Sequence, residues 1–311
     1  MTRSKFDKQV NERGRRITMI LHAKSFHNKD KIQRAKIGLQ LFLSILIITS
    51  IILNVVVIIT KSMPLIVVYM FTPALSSILT RIILKEGFND VSFGLGNLKV
   101  WKGIGFALLI PMVICGITYS IAWLSGIARF QHPEGGMLEP IYNILGLQYL
   151  PEPFSFIYLV VLSGILGSLL NLIPVLGEEM GWRGYMLTRL VDAEFSRPIL
   201  ISGLIWATWH VPIVIAGLYV EGSSVLLSVL GIYFCIVPFS YITAYLRLIT
   251  GSVWPSVIIH TTWNAIIQGP FARASTGHQS EIWIGESGLI TAIIILITAI
   301  ILSRITRFTK H

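Results

Sequence analysis

The sequence predicts an all-α fold, a polytopic transmembrane helix bundle of about eight spans. Three observations carry that prediction. Of 311 residues, 54% are hydrophobic and 13% charged, with a mean hydropathy of +0.74, whereas a soluble globular domain carries about 25% charged residues. The apolar residues gather into runs long enough to cross a ~30 Å hydrocarbon core. The basic residues are divided unequally between the segments that join those runs.

Residues 1–37 form a basic cytoplasmic tail without apolar periodicity, read as a short surface helix or an unstructured arm; the first 38 residues hold 11 of the 25 Lys and Arg. Anionic headgroups attract such a tail, which accounts for most of the net charge of +10 and leaves no reason to expect nucleic acid as a partner. The N-terminal spans fall within residues 38–153, at about Gly38–Ile59, Met63–Leu84 and Gly103–Leu124. An external loop, Ser125–Pro153, follows. The segment 154–270 carries the chemistry and contains apolar runs at about Phe154–Leu176, Pro198–Leu218, Ser223–Leu246 and Gly251–Gln268. Residues 271–311 supply the last span, about Gly288–Leu302, and a basic C-terminus.

With the N-terminus inside, 22 Lys and Arg fall in cytoplasmic segments against three outside, Lys61, Arg129 and Arg273. That bias predicts cytoplasmic termini. Cys115 and Cys235 lie in separate apolar runs and read as packing residues. The first apolar run starts too late and runs too long for a cleavable signal peptide. Nucleotide-binding glycine loops and a zincin HExxH are not present in the sequence.

Against this apolar background stands Gly177-Glu178-Glu179-Met180-Gly181-Trp182-Arg183-Gly184. Ionisable groups at membrane depth are expensive and mark pathways or reaction sites. Glu178 lies 11 residues from a span end at about Arg189, and His210 lies 11 from an entry at about Ile199; each is ~16 Å deep on a helix. His260, nine residues from Gly251, is ~13 Å deep. Three helices thus present Glu, His and His at one level. Glu179 and Arg183 are i,i+4 neighbours that can pair, while Glu178 is turned ~100° away. Trp206 and His210, and His260 and Asn264, share the same spacing.

Such a set can hydrolyse an amide in two ways. Glu178 can take a proton from water while a histidine orients it, with His260 and Asn264 donating to a developing oxyanion. Alternatively, Glu178, His210 and His260 form a His2Glu set that suits a catalytic Zn²⁺. The plainer readings are a structural Glu179–Arg183 pair, a neutral core acid at Glu178, and hydrogen-bonded bundle histidines. Trp206 and Trp263 read as packing or channel walls, and His22, His27, His132, His278 and His311 as solvent-facing. A proton-coupled transporter and a non-catalytic binding protein are the competing functions.

The motifs Glu178-Glu179-Met-Gly-Trp-Arg183, Trp206-Ala-Thr-Trp-His210 and His260-Thr-Thr-Trp-Asn264 resemble the EExxxR, F/WxxxH and HxxxN/D pattern of the CPBP family of intramembrane proteases. That family includes CAAX prenyl endopeptidases and bacteriocin-processing or immunity proteins. The resemblance covers roughly 155–270, with Trp206 where phenylalanine is commoner. It implies a bundle with a polar cavity open to the cytoplasmic side, Glu178 as general base assisted by His210, and His260 with Asn264 as oxyanion donors. Glu179 and Arg183 organise the site, and Zn is an open question. It also implies a multi-pass protein of a cell membrane, read as the bacterial plasma membrane. The partners it implies are lipid and a membrane-associated peptide or protein, prenylated or not.

Overall fold

A computed structural model of the chain describes residues 3–134, 136, 138–219, 224–278 and 280–308. The first helix, α1, runs Arg3–Thr60 without interruption. It takes in the basic tail, so the helix there is longer than the short one expected; no proline occurs before Pro64 to stop it. Its apolar part is Lys29–Thr60. The expectations for His22, His27 and His311 fall outside the described side chains.

Helix α2 is Met63–Leu84, with a proline in its first turn and Lys85 in the left-handed conformation at its end. Asn97 caps α3, Leu98–Leu124, accepting a hydrogen bond from the Lys99 N–H at 2.9 Å. Helices α4, Phe154–Leu170, and α5, Leu172–Asp192, are bent by 67° at their junction. Next come α6, Pro198–Ile215, and α7, Val225–Thr250. Helix α8, Trp254–Ile266, passes into a π-helical turn, Ile267–Phe271, where Gly269 leaves helical geometry. The last helix, α9, is Leu289–Phe308.

Among the described residues, five helices are long and apolar enough to cross a membrane, or six if the α4–α5 pair is one span. The sequence reading counts eight. The fourth run is the bent pair, and the last two form shorter helices; the 13 residues of α8 reach ~20 Å, short of a ~30 Å core. Ile47, Ile48, Ile51, Ile52 and Val55 on α1 and Phe106, Leu109 and Val113 on α3 are exposed. An outward apolar face of that kind suits lipid, and the bundle is a helical membrane protein.

Small residues set the closest approaches. A Cβ on Gly181 would lie 2.6 Å from the backbone of Pro73, so α5 meets α2 at a distance that a side chain forbids. Cys115 and Cys235 are buried and free. At one end of the bundle the buried Arg81 pairs with Asp90, Arg189 bridges Glu86 and Asp90 at 2.8 and 2.9 Å, and Lys31 reaches Asp192 at 2.9 Å. At the other end β1, Arg129–Phe130, pairs antiparallel with β2, Ser275–Thr276. Trp123, Phe130, Phe156 and Phe271 cluster there. The polar centre lies between these two ends.

Candidate active site

Glu178 and Glu179 sit on α5 just before a π-helical turn, Trp182–Met186. A π turn is a local defect common at functional sites. Two carbonyls within it are taken up by other helices: Arg247 Nε donates to that of Arg183 at 3.3 Å and Arg81 Nη2 to that of Gly184 at 3.0 Å. The turn is therefore tied to the charged end of the bundle.

Both carboxylates are buried, but their partners differ. Trp182 Nε1 and Trp206 Nε1 both donate to Glu178 Oε2, at 3.2 and 3.0 Å. Glu179 Oε1 accepts from Arg183 Nη1 at 2.8 Å and from His260 Nδ1 at 2.9 Å. The Arg183 guanidinium donates further to Ser240 Oγ at 3.3 Å and to Thr243 Oγ1, and lies 4.2 Å over the Trp206 ring. Thus one carboxylate is bound by a cation, and the other accepts from two neutral indoles.

The histidine tautomers follow from their partners. His210 Nδ1 lies 2.9 Å from the Trp206 carbonyl, which can only accept, so Nδ1 carries the hydrogen. His260 Nδ1 likewise donates to Glu179. Each ring keeps Nε2 for other partners. The two histidines line one small cavity with Trp206, Tyr219, Asn264 and Glu286, and its volume of about 20 Å³ is the room that a single water needs. Asn264 also lines a second cavity of about 260 Å³ with Asn171, Gln268 and Arg273.

The structure therefore brings Glu178, Glu179, Arg183, His210 and His260 to one centre and places Asn264 at its edge. It adds residues that the sequence reading did not assign. Trp182 is the i+4 neighbour of Glu178, a signal available from spacing. Ser240 and Thr243 on α7 offered no comparable pattern. Glu286 lies in the loop before α9, far along the chain from the motifs. Trp263, read as a wall, donates its indole N–H to Glu286 Oε1 at 3.1 Å.

The larger cavity is lined by Pro133, Gly136, Leu138, Glu139 and Tyr142, from the loop that the charge bias puts outside. A cytoplasmic opening and cytoplasmic termini are not both met by this cavity. As for Zn²⁺, no group of three His, Cys, Asp or Glu side chains among the described residues is arranged to hold a metal ion. Glu178 Oε2 is engaged by two indoles. The His2Glu set does not fit a metal as arranged.

No curated protein matches the chain. A family model described as type II CAAX prenyl endopeptidase Rce1-like matches residues 153–266. The match spans α4 to α8, and so contains every member of the EExxxR, WxxxH and HxxxN motifs. Over residues 153–266 the chain is thus similar to the CAAX protease family that its motifs resemble.

Proposed function

We propose that the protein is an intramembrane endopeptidase that hydrolyses a peptide bond in a membrane-associated peptide or protein, using water activated by Glu178. The observation that carries this reading is the contrast between the two adjacent carboxylates. Glu179 is neutralised by Arg183, whereas Glu178 is held by two indole N–H groups, one of them from Trp206 on the wall of the histidine cavity. A buried carboxylate without a cation is the stronger base.

In this mechanism Glu178 takes a proton from water as the oxygen attacks the carbonyl carbon. His210, with its Nδ1–H committed to the Trp206 carbonyl, orients that water through Nε2. His260 is paired through Nδ1 with Glu179 and takes part in its doubly protonated form. Its Nε2–H and the Asn264 amide then stabilise the oxyanion. Arg183 and Glu179 act by holding His260. No step passes through a metal.

Similarity of residues 153–266 to a CAAX protease family supports this class of reaction, and the substrate is a membrane-associated chain, prenylated or not. On charge we assign both termini to the cytoplasm of a bacterial plasma membrane, with about eight crossings. The substrate then enters through the 260 Å³ cavity on the opposite side.

The test compares wild type and Glu178→Gln in detergent against prenylated and unprenylated C-terminal peptides, read by mass spectrometry. Loss of a general base predicts a fall in kcat of ~10²–10⁴-fold, with helical content unchanged. Wild-type cleavage should survive a chelator. Equal cleavage by the two proteins would remove Glu178 from its role, and abolition by chelator would restore the metal reading.

A further inference from the structure

The small cavity has a second carboxyl group. Glu286 stands in the loop between α8 and α9, outside the matched segment, and lines the cavity together with His210, His260 and Asn264. Trp263 Nε1 donates to its Oε1 at 3.1 Å and Gln268 Nε2 to its Oε2 at 2.9 Å. The Tyr219 hydroxyl is a third hydrogen-bond partner. A carboxyl group offers about four such positions, which leaves one for the cavity.

Three elements converge to hold this side chain. Trp263 comes from α8, Gln268 from the π-helical turn that follows, and Tyr219 from beyond the end of α6. Asn264 and Gln268 also line the 260 Å³ cavity. Glu286 therefore lies on the wall of the small cavity, one hydrogen bond from Gln268 on the wall of the large one, and Asn264 lines both.

We propose that Glu286 is a catalytic residue for the leaving group, binding the amine released when the peptide bond breaks. This rests on the endopeptidase reading and extends it to a residue outside the family motifs. Glu178 takes a proton from water as the new C–O bond forms and passes it to the amide nitrogen as the C–N bond breaks. The products at that point are a carboxylic acid and a neutral amine. The amine takes a proton from Glu286 and departs as an ammonium against the carboxylate; the acid product returns its own proton to Glu286. Burial pushes the Glu286 carboxyl above the ordinary carboxylate range, in the direction of the protonated form that this step uses.

An ester leaves as an alcohol, which does not take up that proton. The experiment compares a peptide that wild type cleaves with the ester in which oxygen replaces the scissile N–H. Glu286→Gln should slow the amide by about 10²-fold while slowing the ester by less than about tenfold. Equal loss on both substrates would make Glu286 a structural wall and overturn the proposal. If Glu286→Gln does not fold, Glu286→Asp is measured in the same way, since it keeps the acid but sets it back by one methylene.

A second measurement does not depend on cleavage. Calorimetry in detergent would compare Leu-Ala-Leu bearing a free amino group with its N-acetyl form. Wild type should prefer the free amine by about tenfold, the worth of one charge-assisted hydrogen bond, and Glu286→Gln should lose the preference. Absence of any preference in wild type overturns the proposal. If wild type cleaves no peptide, the endopeptidase reading itself falls, and the calorimetry alone decides whether Glu286 is an amine site.

Discussion

At the scale of single residues, adjacent carboxylates acquire different chemistry from different neighbours. Glu179, Arg183 and His260 form one buried chain, and the pair at its centre is separated by 2.8 Å. Removing one member of such a pair leaves a buried charge without a partner, which costs about 3–5 kcal/mol. Glu179→Ala should therefore lower the thermal midpoint sharply as well as abolish cleavage, whereas Glu178→Gln should abolish cleavage with little change in the midpoint. Thermal unfolding of both variants in detergent checks this, and similar midpoints would dissolve the distinction. Much of this level was legible beforehand. The i,i+4 rule named Glu179 with Arg183, and the same rule, applied one residue earlier, names Trp182 with Glu178. The tryptophan went unassigned because an indole in an apolar run reads as packing until a carboxylate is found beneath its N–H. Glu286 was not legible, since nothing local distinguishes an acid in a short polar loop.

At the scale of elements, helix packing decides where these groups sit. Periodicity and hydropathy located the apolar runs, and the starts at Met63, Phe154 and Pro198 agree with the helices found. The bend between α4 and α5 has a local cause, since Pro174 cannot donate to the carbonyl four residues back, that of Leu170, where α4 ends. That the π turn after Glu179 is tied down by Arg81 and Arg247 is a tertiary effect, which periodicity could not show. The loop that carries Glu286 depends on a similar contact. A Cβ on Gly231 of α7 would lie 2.1 Å from the Ser287 carbonyl oxygen, so any side chain there pushes the loop away. Gly231→Ala should destabilise the protein by about 1–3 kcal/mol and reproduce the selective loss of amide over ester hydrolysis expected for Glu286→Gln. Kinetics of that variant on the paired substrates measure it, and an unchanged ratio of the two rates would separate the loop from the reaction.

At the scale of the whole molecule, the question is which side of the membrane meets the cavity. The charge bias assigns the Arg81–Asp90–Arg189 end to the cytoplasm and the β1–β2 end to the outside, with the 260 Å³ cavity near the latter. Asn143 and Ser196 are exposed at these two ends. Asn143→Cys should react in intact cells with a thiol reagent that cannot cross the membrane, and Ser196→Cys should react only after the cells are opened. The reverse pattern would invert the orientation and return the cavity to the cytoplasmic face. The two native thiols make this measurement simple. Because Cys115 and Cys235 are buried within helices of the bundle, a polar reagent has no target on the unaltered chain, and the wild type serves as its own blank.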